Sequence, residues 1–175
     1  MYRVLIADDE MPALRFISSI VEQFSNGFHV TGTVSSGELA LDFLQKNPVD
    51  LLLTDISMHG MNGIELARAA REIQPSIHIV IISGYGEFEY AQGAIQAGVD
   101  SYLLKPVSIS KMSTVLQSVQ QKLERENAGR SGSVLPALAC GQPYNREMAA
   151  QLFGRNTYRF AYIRWGNLNM ILPKF

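Results

Sequence analysis

The feature that most constrains this chain is an alternation of short apolar runs with amphipathic segments, repeated five times in about 125 residues. Two of the runs, 49–55 and 77–83, are apolar without polar alternation, as expected for parallel strands buried on both faces. Between the runs, apolar residues recur every three or four positions, which is typical of helices. The alternation predicts an α/β fold with a doubly wound five-stranded parallel sheet and helices on both faces. The predicted strands are 3–7, 28–34, 49–55, 77–83 and 101–105.

The charge balance changes near residue 126. Residues 1–126 hold 15 acidic and 9 basic side chains, whereas residues 127–175 hold 1 acidic and 6 basic ones. Such a step marks a change of module. We expect a domain over 1–125, a flexible linker over 126–133 ("ENAGRSGS") and a short, incomplete α+β segment over 134–175. That last segment is either the opening of a second domain or an appendage packed on the first.

Composition places the chain among globular proteins, with 47% hydrophobic and 18% charged residues. No apolar run approaches the roughly 20 residues that span a bilayer, so we expect no membrane association. The N-terminus has no basic region before an apolar core and does not resemble a signal peptide. The single cysteine, Cys140, favours a reducing cytoplasm and is interpreted as a small buried hydrophobe.

Several chemically active side chains follow the predicted strands, at the point where each strand ends. In an open parallel sheet, ligands bind beyond the carboxyl ends of the strands. If the strand order is 2-1-3-4-5, three carboxylates, a hydroxyl and an ammonium converge there. The five side chains are those of Asp8 and Asp9 after the first strand, Asp55 at the end of the third, Ser83 at the end of the fourth and Lys105 at the end of the fifth. Gly84 follows Ser83, and Pro106 follows Lys105.

Three ionised carboxylates crowd together only if a cation joins them. Oxygen ligands without a suitably placed histidine or cysteine favour Mg²⁺, or Mn²⁺, over zinc. A carboxylate nucleophile, a lysine and a hydroxyl beside such a cation are what phosphoryl transfer requires.

The chain resembles the receiver domain of bacterial two-component response regulators over about residues 1–125. The matching pieces are "VLIADDE", "DLLLTDISMHGMNGIEL" and "IVIISGYGEFEYAQGAIQAGVDSYLLKP". The resemblance implies a flavodoxin-like sheet of order 2-1-3-4-5. It also implies a phosphoacceptor with intrinsic Mg²⁺-dependent self-phosphorylation and self-dephosphorylation, rather than a turnover enzyme.

Residue roles follow from the same resemblance. Asp55 is the implied phosphoacceptor, and the metal ligands are Asp9 directly, Asp8 more through water, Asp55 itself and the backbone carbonyl of Ser57. Phosphoryl binding and switching are implied for Ser83, Gly84, Lys105 and Tyr102, with a cis peptide bond before Pro106.

One position departs from the family pattern, because His59 stands where a proline is usual. We expect a more mobile or differently turned loop there, with His59 facing solvent rather than the phosphoryl group. Glu10, the third acid of "DDE", is expected outside the site, at the start of the first helix.

The implied partner is a sensor histidine kinase, with a possible phosphorylation-linked homodimer. The implied output is the helix 4–strand 5–helix 5 face, which would control transcription through a DNA-binding domain absent from this chain. Residues 83–107 most resemble regulators with an AraC-type helix-turn-helix output. One alternative is a receiver without DNA-binding output that acts as a protein-interaction module, with or without phosphorylation. A phosphohydrolase is disfavoured because Ser57 stands where that class has a second acid.

Overall fold

The computed structural model describes residues 1–25, 27–84 and 88–139 of the chain. Strands and helices alternate throughout, as the sequence predicts. The strands are β1 Tyr2–Ala7, β2 Phe28–Val34, β3 Leu51–Asp55, β4 His78–Ser83 and β5 Ser101–Leu104. The helices are α1 Met11–Phe24, α2 Gly37–Lys46, α3 Gly63–Ile73, α4 Phe88–Gln96 and α5 Ile109–Ala139.

The five strands form one sheet of order β2-β1-β3-β4-β5, and every neighbouring pair is parallel. The predicted strand order is therefore confirmed. It places β1 and β3 side by side at the centre, with β4 and β5 following on the β3 side. The carboxyl ends of β1, β3, β4 and β5 consequently lie along one edge of the sheet, where sequence analysis expects the site.

Apolar residues cover both faces of the sheet. Leu5 and Ala7 belong to a core cluster that also contains buried residues of α2 and α3, among them Ala40, Leu44, Leu66, Ala67 and Ala70. Val4 and Ile6 are equally buried, and successive strand residues point to opposite faces. Every residue of β3 and β4 is buried, which explains why these strands lack polar alternation.

Helix α3 begins with a complete capping box, directly after the loop that follows β3. The side chain of Asn62 accepts hydrogen bonds from the backbone N–H groups of Ile64 and Glu65, and the Glu65 carboxylate accepts one from the N–H of Asn62. Such reciprocal caps stabilise a helix start by about 1 kcal/mol and define where it lies. The β3–α3 loop is thus short and closed by a well-defined helix end.

The predicted flexible linker over 126–133 is wrong in its secondary structure, because α5 continues through it to Ala139. Glycine and serine lower helix propensity without forbidding it, and extending an existing helix avoids the cost of nucleation. The chain divides into two compact units, Met1–Gln120 and Gln121–Phe175. The second is described only over 121–139, as helix. Cys140 and the rest of the expected α+β segment, up to residue 175, lie outside the described residues.

No helix in the described part of the chain is both long enough and apolar enough to cross a membrane.

Candidate functional site

Lys105 joins two carboxylates at the carboxyl edge of the sheet. Its Nζ atom lies 3.0 Å from Oδ2 of Asp8 and 2.9 Å from Oδ1 of Asp55. Asp8 follows β1, Asp55 ends β3 and Lys105 follows β5, so the contact depends on the strand order. The exposed side-chain fractions are 1%, 6% and 27%, respectively. The structure therefore brings together, in a mostly buried cluster, three residues that the sequence predicts to converge.

Burial is the largest influence on the pKa of Asp8. It raises the pKa of this carboxyl above its ordinary value, and hydrogen bonds from the Glu10 N–H and from Lys105 offset only part of the rise. Burial opposes the ammonium charge of Lys105 in the same way. The contacts and charges of Asp55 and Asp8 outweigh that burial, and they raise the pKa of Lys105. The cluster holds two acids against one base, so it is short of positive charge.

Asp55 has one oxygen held by the backbone and one that is not. Its Oδ2 atom accepts a hydrogen bond from the N–H of Ser57 at 2.9 Å. Its Oδ1 atom pairs with Nζ of Lys105 at 2.9 Å and has no other partner within the part of the chain that the structure describes. A carboxylate oxygen carries two lone pairs, so Oδ1 can accept a further bond from an external donor or cation while Lys105 stays in place.

Asp9 takes a different partner from Asp8. Its Oδ2 atom lies 2.8 Å from Nδ1 of His59, whose side chain is fully exposed while that of Asp9 is 23% exposed. His59 faces solvent, as expected, but nothing in the sequence indicates its contact with Asp9. His59 also lines a shallow pocket of the β3–α3 loop with Ile56, Ser57, Met58 and Asn62.

The donor set fits a hard divalent cation. Carboxylate oxygens of Asp8, Asp9 and Asp55 and the carbonyl of Ser57 are the ligand types that Mg²⁺ and Mn²⁺ prefer. Two observations point the same way: Oδ1 of Asp55 has only Lys105 as a partner among the described residues, and the cluster holds an excess of buried acid. Among the described residues, no three acidic, histidine or cysteine side chains already form a metal-binding group. The three carboxylates would therefore have to come closer together to hold a cation.

The remaining predicted residues lie around this cluster. Ser83 is buried at the end of β4, and its carbonyl accepts a hydrogen bond from the N–H of Lys105 at 2.7 Å. Gly84 is exposed, and an added Cβ atom would meet nothing within 4 Å. Tyr102 is half-buried and packs against a small core cluster of Ile56, Ile81 and Ala94. The predicted cis peptide bond between Lys105 and Pro106 is confirmed.

Glu10 lies at the N-cap of α1 rather than in the site, as expected. Its side chain makes no capping hydrogen bond, so the expected benefit of an acid at the helix start is limited to its charge. Its backbone N–H donates to Oδ1 of Asp8 at 2.9 Å. Glu10 thus contributes to the cluster through its main chain, which residue type alone does not reveal.

Comparison with known proteins gives one consistent family. The sequence profile described as the response regulator receiver domain matches residues 4–117. The chain is 35% identical over 127 residues to the uncharacterized transcriptional regulatory protein YesN of Bacillus subtilis (strain 168), covering 73% of this chain and 34% of YesN. It is 32% identical over 133 residues to the transcriptional regulatory protein HptR of Staphylococcus aureus (strain NCTC 8325 / PS 47), covering 75% and 52%. The chain therefore spans about a third to a half of these relatives.

Solved structures agree with this result. The REC domain of AraT, a response regulator from Geobacillus stearothermophilus, is 41% identical, with a TM-score of 0.64. The alignment covers 71% of this chain and 97% of the AraT domain. The similarity thus corresponds to one whole domain of that protein and to the sheet and helices described above.

Proposed function

The chain belongs to the response regulator receiver domain family, and on that basis we propose that Asp55 accepts a phosphoryl group from a sensor histidine kinase. The observation that carries this proposal is the cluster of Lys105 with Asp8 and Asp55 at the carboxyl edge of the sheet. It combines a buried carboxylate nucleophile with a cation, the Lys105 ammonium, that is positioned to meet incoming negative charge.

The transfer is a single displacement. A bond forms between a carboxylate oxygen of Asp55 and phosphorus while the phosphorus–nitrogen bond of the donor phosphohistidine breaks, and the released imidazole takes a proton from solvent. Lys105, 2.9 Å from Oδ1 of Asp55, then neutralises part of the phosphoryl charge. Asp8, Asp9, Asp55 and the Ser57 carbonyl would hold Mg²⁺ or Mn²⁺, which when bound neutralises phosphoryl oxygens. The chain is in this view a phosphoacceptor rather than a turnover enzyme.

Phosphorylation then alters the side of the sheet that contains β4 and β5. Ser83 lies one strand away from Asp55, at the end of β4, and its hydroxyl is the group proposed to turn toward the phosphoryl oxygens. Tyr102 is partly buried on β5, and it would move into the space that this shift leaves. The α4–β5–α5 face changes as a result and can carry the signal, including to a second copy of the chain.

The output proposed for the whole protein is control of transcription in the cytoplasm. Its relatives YesN and HptR are transcriptional regulatory proteins, and this chain spans only part of their length. DNA binding would therefore belong to a region outside the chain described here.

The proposal is tested by incubating the full chain with Mg²⁺ and a small acyl-phosphate donor and measuring the intact mass. We expect one phosphoryl adduct that Asp55→Asn abolishes and that the surface variant Asp42→Asn retains. Removing Mg²⁺ with a chelator should also abolish the adduct. A wild-type protein that forms no adduct would instead favour a phosphorylation-independent interaction module, and repeated turnover of a phosphoester would favour an enzyme.

A further inference from the structure

The side-chain contact between His59 and Asp9 links two loops that are far apart in the sequence. Asp9 lies in the β1–α1 loop, and His59 lies in the β3–α3 loop, 50 positions later. Asp8 and Asp9 of the first loop and Ser57 of the second are proposed cation ligands, and the fourth, Asp55, ends β3 directly before the second loop. A side-chain contact of 2.8 Å between them therefore acts on the geometry of the proposed site.

The contact uses only one carboxylate oxygen. Oδ2 of Asp9 faces Nδ1 of His59, and in the neutral imidazole a proton on Nδ1 makes this an N–H donor to the carboxylate. A cation can bind the other oxygen of a carboxylate held in this way. Hydrogen-bonded outer partners commonly orient metal-binding carboxylates and so strengthen metal binding.

We propose that His59 is a positioning residue for the divalent cation, which holds Asp9 in place through Oδ2 so that the carboxylate is available to the metal. This inference rests on the proposed function, because it assumes that Asp9 is a cation ligand. Without the imidazole, Asp9 would be a partly exposed side chain free to adopt several rotamers, and ordering it would cost binding free energy. His59 does not contact the cation in this arrangement, and its effect is transmitted through Asp9.

The test is direct cation binding by the full chain without a phosphodonor. Free Mn²⁺ is followed by its electron paramagnetic resonance signal, and Mg²⁺ by competition against Mn²⁺. We expect His59→Ala to weaken the binding of both ions by about tenfold. This loss is at the low end of the range for outer-shell partners, because His59 is exposed. His59→Gln, which retains an N–H donor, should recover part of this loss.

A matched control is available in His29, whose Nδ1 lies 3.1 Å from Oε1 of Glu22 on the surface, with an exposed histidine side chain. His29→Ala should leave cation binding unchanged. Thermal unfolding in a chelator should be the same for wild type and His59→Ala, which separates lost positioning from lost folding.

Four results would overturn the inference. Unchanged cation binding in His59→Ala would mean that the imidazole does not position Asp9. Tighter binding would mean that the imidazole hinders the binding of Asp9 to the metal. A much larger loss for Ni²⁺, which prefers imidazole, than for Mg²⁺ would make His59 a direct ligand instead. A wild-type protein that binds neither Mn²⁺ nor Mg²⁺ would overturn the proposed function as well, whereas a binding wild type with an unaffected His59→Ala rejects only the role of His59.

Discussion

A Cβ atom on Gly63 would stand 2.0 Å from the backbone carbonyl oxygen of Asp55. Gly63 is the first residue of α3, and its N–H donates to the carbonyl of Ile56 at 3.0 Å. The start of the helix therefore packs directly on the end of β3. The absence of a side chain at Gly63 allows the β3–α3 loop to return this closely beside the proposed phosphoacceptor.

We expect Gly63→Ala to destabilise the fold by about 2–3 kcal/mol, because the clash is with backbone that cannot rotate away. The lost stability is measured as a lower urea midpoint, and a slower formation of the Asp55 adduct should accompany it. Gly84→Ala is the matched control, since its Cβ atom meets nothing within 4 Å. Equal stability of the two variants would contradict the packing argument.

Much of this fold and site is predictable from sequence because the deciding signals are local. The apolar runs of β3 and β4 identify buried strands, and the strand order that the family resemblance implies then brings Asp8, Asp55 and Lys105 to one edge. This conclusion does not need the exact distances between side chains, because parallel strands align their carboxyl ends whatever the details of packing.

The features that sequence did not reveal depend on loop geometry or on competing local preferences. The contact of His59 with Asp9 needs two loops to approach at 2.8 Å, and neither residue type requires it. The backbone donation from Glu10 to Asp8 is likewise invisible in residue identity. In residues 126–133, glycine and serine favour a linker, whereas the structure continues α5 through them.

Lys105→Met tests how far the ammonium stabilises the paired acids. Removing it leaves two buried carboxylates facing each other, and we expect a loss of about 2–3 kcal/mol without metal, below the largest values for buried pairs because Lys105 is 27% exposed. The measurement is chemical denaturation in a chelator. Lys46→Met removes an exposed pair with Asp42 at 3.9 Å and should change stability by less than about 0.5 kcal/mol.

Asp8→Asn should stabilise the metal-free protein at neutral pH, by on the order of 1 kcal/mol. The folded-state pKa of Asp8 is raised by burial, so the folded protein holds this proton more tightly than the unfolded chain does. Deprotonation therefore costs stability as the pH rises from about 4 through the folded pKa. The advantage of the asparagine variant should grow over that window and stay constant above it in pH-dependent denaturation. An advantage that shrinks with rising pH would contradict the burial effect.

Mg²⁺ should reverse this order. A cation that binds only the folded state, at a free concentration ten times its dissociation constant, adds about 1.4 kcal/mol of stability. The wild type should gain this stability, because its two buried acids share only one positive charge, that of Lys105. Asp8→Asn should lose most of that gain, since it removes one proposed ligand charge. The measurement is the urea midpoint at increasing Mg²⁺, with NaCl of equal ionic strength as the control. An equal gain in both proteins would argue against Asp8 in the cation site.

The opposite edge of the sheet offers a final prediction, on stability without function. Asp100 lies before β5, where its carboxylate accepts the N–H of Ile79 at 3.0 Å, pairs with Nδ1 of the buried His78 at 3.0 Å and lies 3.7 Å from Arg71. Asp100→Ala removes these contacts at once and should cost about 2–4 kcal/mol, measured by denaturation. The variant should still form the Asp55 adduct at temperatures where it is folded, because the amino ends of β4 and β5 lie away from the site. Loss of the adduct from folded Asp100→Ala would show that the two edges are coupled.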